Sequence, residues 1–234
     1  MSVDRPAPAE PGSMRLALFD LDNTLLSGDS DELWCEFLMD EGLLDRAEFA
    51  PRNAEMALRY RETDVTPQEF CEFYVSTLAG RTLDEWRPIC ERFLREAIVP
   101  RLPLSAREMV QMHREMGHRL VMTTATNRVL TELTAQYLRI DDLIATEVEV
   151  VDGRCTGRTS GTLNMREGKV ERLHDWLREQ GLPRALLDDA IFYSDSSNDI
   201  PLLQAVGEPV VVDPDAGLRA LAIASEWRVM ELDR

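Results

Sequence analysis

The chain has 234 residues, 44% of them hydrophobic, which suffices for one large core or for a core with a modest second unit. Forty-three acids against 26 bases leave a net charge of −17. That balance excludes a nucleic-acid-coating protein, and no apolar run approaches the roughly 20 residues of a membrane span. Neither nucleic acid nor membrane is therefore expected as a partner. The opening MSVDRPAPAEPGSM has no basic stretch followed by an apolar one, so residues 1–13 read as a disordered lead rather than a secretion signal. Cys35, Cys71, Cys90 and Cys155 are scattered without a CxxC pair, which predicts reduced, buried thiols and a cytoplasmic location.

Along the chain, short apolar runs stop at polar or acidic residues. LALFD ends at Asp20, and after it the pattern becomes helical from about residue 30 to 99. Leu33, Trp34, Phe37 and Leu38 form one apolar stripe; Leu83, Trp86, Ile89, Cys90, Phe93 and Leu94 form another. Thr66-Pro67-Gln68-Glu69 supplies an N-cap, a proline at the first turn and a Glu three residues on, and Thr82 with Glu85 repeats the capping box after Gly80. These signals predict about four helices, with the boundary inside 43–65 poorly marked. A helix over 105–116 follows, with Ser105 and Glu108 as its capping box and Gly117 as its stop. Next come a strand RLVMTT, a helix over 128–138, a weaker strand LIAT (143–146), and a β-hairpin over 147–160 turning at Asp152-Gly153 and projecting from the core. Helix 168–180, strand AIFYSD, helix 199–206, strand PVVVD, helix 215–224 and a weaker strand WRVMEL complete the chain. Alternating strands and helices predict an α/β fold with a doubly wound parallel sheet, whose ligands sit at the carboxyl ends of the strands. The expected division is 14–27 plus 100–234 as the α/β core and 28–99 as a small helical cap.

The chemistry concentrates at those strand ends. In F-D-L-D-N-T-L, Asp20 and Asp22 converge charge where water is partly excluded, an arrangement that needs a cation or a proton to offset it. The alternative is a turn in which Asp22 caps the next helix or loop. Y-S-D-S-S-N-D brings Asp195 to a neighbouring strand end, and three carboxylates around one point make a hard oxygen site suited to Mg²⁺. Thr123 and Thr124 follow a strand and precede a helix, offering a hydroxyl and backbone N–H groups at a helix start. Lys169, in R-E-G-K-V, is either a solvated surface lysine or a neutraliser of phosphate.

DLDNT, the T-A-T after a strand, the single Lys and DSSND, in this order, resemble the four motifs of haloacid dehalogenase-like phosphatases. The helical insert and the hairpin D-G-R-C-T-G-R resemble the phosphoserine phosphatase-like branch, which includes phosphoserine and histidinol phosphatases and is typically Mg²⁺-dependent. The resemblance implies a Rossmann-like core and a hydrolase that passes through an aspartyl-phosphate. It implies Asp20 as nucleophile, Asp22 as general acid and base, Thr124 (Thr123 if the register is one residue off), Lys169 and Asn198 at the phosphate. For the metal it implies Asp20, Asp195 and the backbone carbonyl of Asp22, with Asp199 orienting Lys169 or a metal-bound water. The fourth motif departs from its usual glycine-rich surroundings, since Ser194 and Ser196 flank Asp195.

The branch also places an acidic residue nine positions after the nucleophile against the substrate's amino group. Here that residue is Asp29, which as read from the sequence can equally start a helix. Residues 25–100 hold 17 acids against 8 arginines, a bias toward a substrate with a cationic end. Arg59 and Arg61 are candidates for a substrate carboxylate. The expected substrate is a small amino-bearing phosphomonoester of amino-acid biosynthesis, histidinol phosphate or phosphoserine. The rival readings are a phosphotransferase or nucleotidase on the same scaffold, or a non-enzymatic phosphoacceptor. No oligomeric state is readable.

Overall fold

A computed structural model describes residues 14–61 and 64–233, with Arg61 described by its backbone alone. The disordered-lead expectation for residues 1–13 and the role considered for the Arg61 side chain lie outside the described residues.

Among the described residues, seven strands form one sheet: β1 (Leu16–Phe19), β2 (Arg119–Asn127), β3 (Asp142–Val151), β4 (Arg154–Ser160), β5 (Ile191–Ser194), β6 (Glu208–Val212) and β7 (Arg228–Met230). Their order is β4-β3-β2-β1-β5-β6-β7, parallel except for the antiparallel β3–β4 pair at one edge. This is the doubly wound α/β fold expected from the sequence. The central strand β1 is buried along its whole length, because helices cover both faces. Ala17 and Phe19 pack toward one face with Trp34, Phe93 and Met122, while Leu16 and Leu18 pack toward the other with Leu173, Leu177 and Phe192. The chain reverses its winding between β1 and β5, so the ends of β1, β2 and β5 face one crevice.

Among the described residues, four α-helices separate β1 from the core helix α5 (Leu104–Glu115): α1 (Ser30–Asp40), α2 (Arg46–Arg61), α3 (Pro67–Val75) and α4 (Leu83–Phe93). The caps read from the sequence form at α3, where the Thr66 side chain accepts from Glu69 N–H, and at α4, where Thr82 and Glu85 close a reciprocal box. The same signature fails at α5. Its cap position is Pro103, and the Ser105 hydroxyl instead donates to the Asp233 carbonyl at 3.0 Å. A spacing of Ser and Glu does not cap when the helix has already begun one residue earlier.

Later elements differ from expectation in informative ways. LIAT and EVEVV are one continuous strand, β3, which pairs in parallel with β2 through its first half and antiparallel with β4 through its second. The hairpin thus extends the sheet rather than projecting from it. It also reaches the helical insertion, where Cys155 N–H donates to the Arg81 carbonyl and Gly80 N–H to the Cys155 carbonyl. After β5 a 3₁₀ turn (Ser197–Asp199) precedes a short α8 (Ile200–Leu203), so the helix over 199–206 is cut at both ends. The remaining helices are α6 (Arg128–Tyr137), α7 (Glu167–Glu179) and α9 (Ala216–Ala224). All four cysteines are buried and free of disulfides. Among the described residues no helix is long and apolar enough to cross a membrane.

Candidate active site

The turn after β1 sets the first two carboxylates. Asp20 N–H donates to the Tyr193 carbonyl at 2.9 Å, tying β1 to β5 one residue beyond the ladder. Leu25 and Leu26 N–H groups return to the Leu21 carbonyl, and Asn23 adopts φ 53°, a left-handed conformation that Asn tolerates better than most residues. The turn sends the two aspartates to different partners. Asp20 faces Lys169, whose Nζ donates to Asp20 Oδ1 at 2.8 Å and to Asp199 Oδ2 at 2.7 Å. Lys169, the only lysine of the chain, is 2% exposed. Burial alone would depress its ammonium, but the Asp199 and Asp20 charges outweigh burial and hold it above its ordinary value.

Asp22 turns toward the helical insertion. Its Oδ1 accepts from the N–H of Ser30, the first residue of α1, at 2.6 Å, and its Oδ2 lies 3.0 Å from the Thr126 hydroxyl and 3.4 Å from that of Thr124. The capping role considered for Asp22 is therefore real. With Asp22 turned toward α1 in this way, the three carboxylates of Asp20, Asp22 and Asp195 do not gather around one point as the sequence suggested. Among the described residues no three His, Cys, Asp or Glu side chains gather as metal ligands.

Asp195 is held by the DLDNT segment itself: Thr24 Oγ1 donates to Asp195 Oδ1 at 3.1 Å and accepts from Asp195 N–H at 3.0 Å. Asp199 accepts from the Ser194 hydroxyl at 2.7 Å as well as from Lys169, and Ser194 in turn accepts from Ser196 N–H. The Ser194 hydroxyl thus braces the acid that holds Lys169, while the Ser196 hydroxyl accepts from Asn198 N–H at 3.2 Å. Asn198 lines the cavity, and its Oδ1 accepts from Arg166 Nε at 2.9 Å. Arg166 stands at the cap position of α7 with φ 53° and ψ −128°, a strained backbone immediately before the lysine motif.

For the second motif, β2 runs on to Asn127, so Thr124 does not stand at a helix start as expected; α6 begins only at Arg128. Thr123 points to the opposite face, where its hydroxyl accepts from Asn164 Nδ2 at 3.0 Å. Thr124 is the residue on the Asp22 side, with its hydroxyl accepting from Thr126 N–H at 3.2 Å. Asp29 caps α1, its Oδ1 accepting from the N–H groups of Asp31 and Glu32, and it also lines the cavity. The helix-start reading of Asp29 holds, and its place on the cavity wall sets it with Asp20 and Asp22. Arg59 is committed elsewhere, to Glu69 at 2.7 Å and to the Asp64 carbonyl.

The cavity has a wall that sequence reasoning missed. Asp31, Thr126, Tyr60, Phe70 and Met165 line it with the expected residues. The only sequence signal for Asp31 was its place in S-G-D-S-D-E, two residues beyond Asp29. The electrostatics are those of crowded buried acids. Desolvation pushes Asp20 and Asp22 up, relieved in part by Lys169 and by the Ser30 and Thr126 hydrogen bonds. Burial, with Asp22 and its neighbours, raises Asp29 well above the carboxylate range and Asp31 to about 8; burial and Asp199 raise Asp195 to about 7. Such a site favours a bound cation and can hold a carboxyl protonated near neutrality.

Residues 17–204 match the haloacid dehalogenase-like hydrolase family. A histidinol-phosphatase from Neisseria meningitidis serogroup C (strain 8013) is 37% identical over 216 residues, 92% of this chain and 97% of its own. The phosphoserine phosphatase SerB1 from Mycobacterium tuberculosis (strain ATCC 25618 / H37Rv) is 31% identical over 246 residues, 98% of this chain and 77% of its own. Among solved structures, a protein of unknown function from Bordetella pertussis Tohama I superposes with a TM-score of 0.87 at 41% identity, covering 93% of this chain and 99% of that one. A phospho-aspartyl intermediate analogue of phosphoserine phosphatase shares the fold, with a TM-score of 0.67 at 18% identity and 94% of each chain covered. The chain belongs to the haloacid dehalogenase-like hydrolase family, in its phosphoserine phosphatase-like branch, and is a phosphatase.

Proposed function

We propose that this phosphatase hydrolyses the phosphomonoester of a small amino-bearing metabolite, histidinol phosphate or phosphoserine, through an aspartyl-phosphate on Asp20 and with Mg²⁺ as cofactor. The observation that carries the reading is the buried Lys169 between Asp20 and Asp199, at the strand ends where Asp22 and Asp195 also lie. One ammonium, bonded to Asp20 and Asp199, stands among four carboxylates (Asp20, Asp22, Asp195 and Asp199), and burial with the neighbouring acids raises Asp20 and Asp195. Hard oxygen donors with excess negative charge fit Mg²⁺. The carboxylates of Asp20 and Asp195 and the backbone carbonyl of Asp22 would hold it. When bound, it supplies positive charge that lets an anionic nucleophile approach an anionic phosphate.

Asp20 attacks phosphorus as the bond to the leaving oxygen breaks, and Asp22 gives that oxygen its proton. Asp22 then takes a proton from the water that opens the aspartyl-phosphate, returning Asp20 to a carboxylate. Burial raises Asp22 above its ordinary value, the direction a general acid needs. Lys169, the Thr124 hydroxyl and Asn198 bind phosphate oxygens, and Asp199 orients Lys169. Residues 28–99 act as a cap on a core of 14–27 and 100–234, with Asp29 meeting the substrate's amino group. A substrate of this kind and four reduced thiols fit a cytoplasmic enzyme of amino-acid biosynthesis.

The test is phosphate release from both metabolites with Mg²⁺ and with EDTA, using wild type and Asp20→Asn. Release by the wild type that needs Mg²⁺ and vanishes in Asp20→Asn is expected. Appreciable turnover by Asp20→Asn would remove the nucleophile from the mechanism.

A further inference from the structure

The wall of the cavity contributed by the helical insertion carries a carboxylate with an unmet need. Asp31 is 3% exposed. Its Oδ2 lies 3.0 Å from the Thr126 hydroxyl, and its Oδ1 is buried with no hydrogen-bond partner among the described residues. A buried acceptor left unpaired is costly, so such a group in a folded protein calls for a partner that the described residues do not supply. Asp31 lines the same cavity as Asp20 and Lys169, where a substrate's leaving group would lie. Asp29 differs: its Oδ1 is engaged by two backbone N–H groups of α1.

Two aromatic rings line the same cavity. Tyr60 of α2 and Phe70 of α3 stack with centroids 4.3 Å apart and planes 26° from parallel. A π-face near a desolvated carboxylate is an environment that attracts a flat cation from both sides. Opposite charges are poorly served there. Among the described side chains lining the cavity, the sole cation is Lys169, and its ammonium is held by Asp20 and Asp199. A substrate carboxylate would enter beside Asp29 and Asp31 with no described side chain to pair it.

We propose that Asp31, with the Tyr60–Phe70 pair, forms a leaving-group subsite that takes a planar nitrogen-bearing cation, such as an imidazolium ring, and turns away a carboxylate. The proposal rests on the phosphatase reading of the Asp20 site and adds the residues that select its substrate. Asp31 supplies the acceptor and the rings supply the face.

The experiment compares four phosphomonoesters by kcat/KM with Mg²⁺: histidinol phosphate (ring and amine), 2-aminoethyl phosphate (amine alone), phosphoserine (amine and carboxylate) and p-nitrophenyl phosphate (an uncharged ring leaving group). Wild type is expected to prefer histidinol phosphate at least tenfold over 2-aminoethyl phosphate, with phosphoserine last. Asp31→Asn should lower the ratio of histidinol phosphate to p-nitrophenyl phosphate at least tenfold, mainly through KM. Tyr60→Leu should lower the ratio of histidinol phosphate to 2-aminoethyl phosphate at least threefold, and it decides the matter if Asp31→Asn does not fold. Ratios within twofold of wild type in every folded variant, or a wild-type preference for phosphoserine, overturn the subsite. So does an equal loss on all four esters in Asp31→Asn, which would assign Asp31 to the Asp22 proton instead. Turnover of p-nitrophenyl phosphate without ring preference overturns the subsite alone, whereas no turnover of any ester overturns the phosphatase reading with it.

Discussion

At the scale of single residues, Lys169 joins stability to chemistry. It is a buried cation bonded to two buried carboxylates, and Asp20 and Asp199 are themselves 6% and 3% exposed. Removing one partner of a buried ion pair leaves charge without compensation, at about 3–5 kcal/mol. Lys169→Ala should therefore lose roughly that much in chemical denaturation, and vanadate, a phosphate mimic, should inhibit it far less well than wild type. A variant of wild-type stability with an unchanged vanadate inhibition constant would return Lys169 to the role of a bystander. Thr24 acts on a smaller scale. By bonding both the carboxylate and the N–H of Asp195, it couples the first motif to the fourth, which explains why a hydroxyl follows the DLDN turn.

At the scale of elements, helix starts and strand ends decide the geometry. Gly168 sits where α7 begins, and a β-carbon there would lie 2.1 Å from the Leu163 carbonyl oxygen. Only glycine allows the helix to begin that close to the preceding loop, and Lys169 is the next residue. Gly168→Ala must push the start of α7 away from Leu163, a strain of about 1–3 kcal/mol. It should cut kcat/KM on p-nitrophenyl phosphate at least tenfold while the circular dichroism spectrum stays native; wild-type turnover would show that the contact relaxes without moving Lys169. These junctions also mark how far the sequence could be read. The strand ends at Asp20 and Asp195 were legible because apolar runs stop abruptly at polar residues, and the caps at Thr66 and Thr82 because their partners lie three residues away; the end of β2 was misplaced at Thr124, since Thr124–Asn127 continues the strand. What stayed hidden depends on long-range placement. Nothing local shows that Asp22 turns to Ser30 while Asp20 turns to Lys169, or that the Asp31 side chain ends buried against Thr126, 95 residues away. The continuity of LIAT with EVEVV was obscured because its two halves pair with different strands, each with its own pattern of burial.

At the scale of the whole molecule, the helical insertion does two jobs with two sets of helices. Trp34 and Phe37 of α1 and Trp86 and Phe93 of α4 share one hydrophobic cluster with β1, α5 and α6, so this half is continuous with the core. Met56 of α2 and Phe70 and Tyr74 of α3 form a separate cluster with Met165, roofing the cavity. The roof closes acids away from water, and the cost appears as a pH dependence. Asp195 and Asp31 are raised by burial and neighbouring acids to about 7 and about 8, from a carboxylate's ordinary value near 4. The folded chain therefore holds protons that the unfolded chain has released, so stability falls as pH rises through 7 to 8. Below about 6.5 a second effect intervenes. Burial, with His118, lowers the fully buried His113 to about 3, so the unfolded state gains a proton that the folded state refuses. The window that isolates the acids is thus about pH 6.5–8.0. In EDTA, Tm should fall across it. Mg²⁺ that replaces those protons as the compensating charge should raise Tm, and more at pH 8.0 than at 6.5. At a hundredfold excess over Kd the gain is about 2.7 kcal/mol, roughly 5–11 °C for a chain of this size. Asp195→Asn should flatten both the EDTA slope and the Mg²⁺ response. An equal Mg²⁺ shift at the two pH values, or one that survives Asp195→Asn, would place the cation away from the roofed acids.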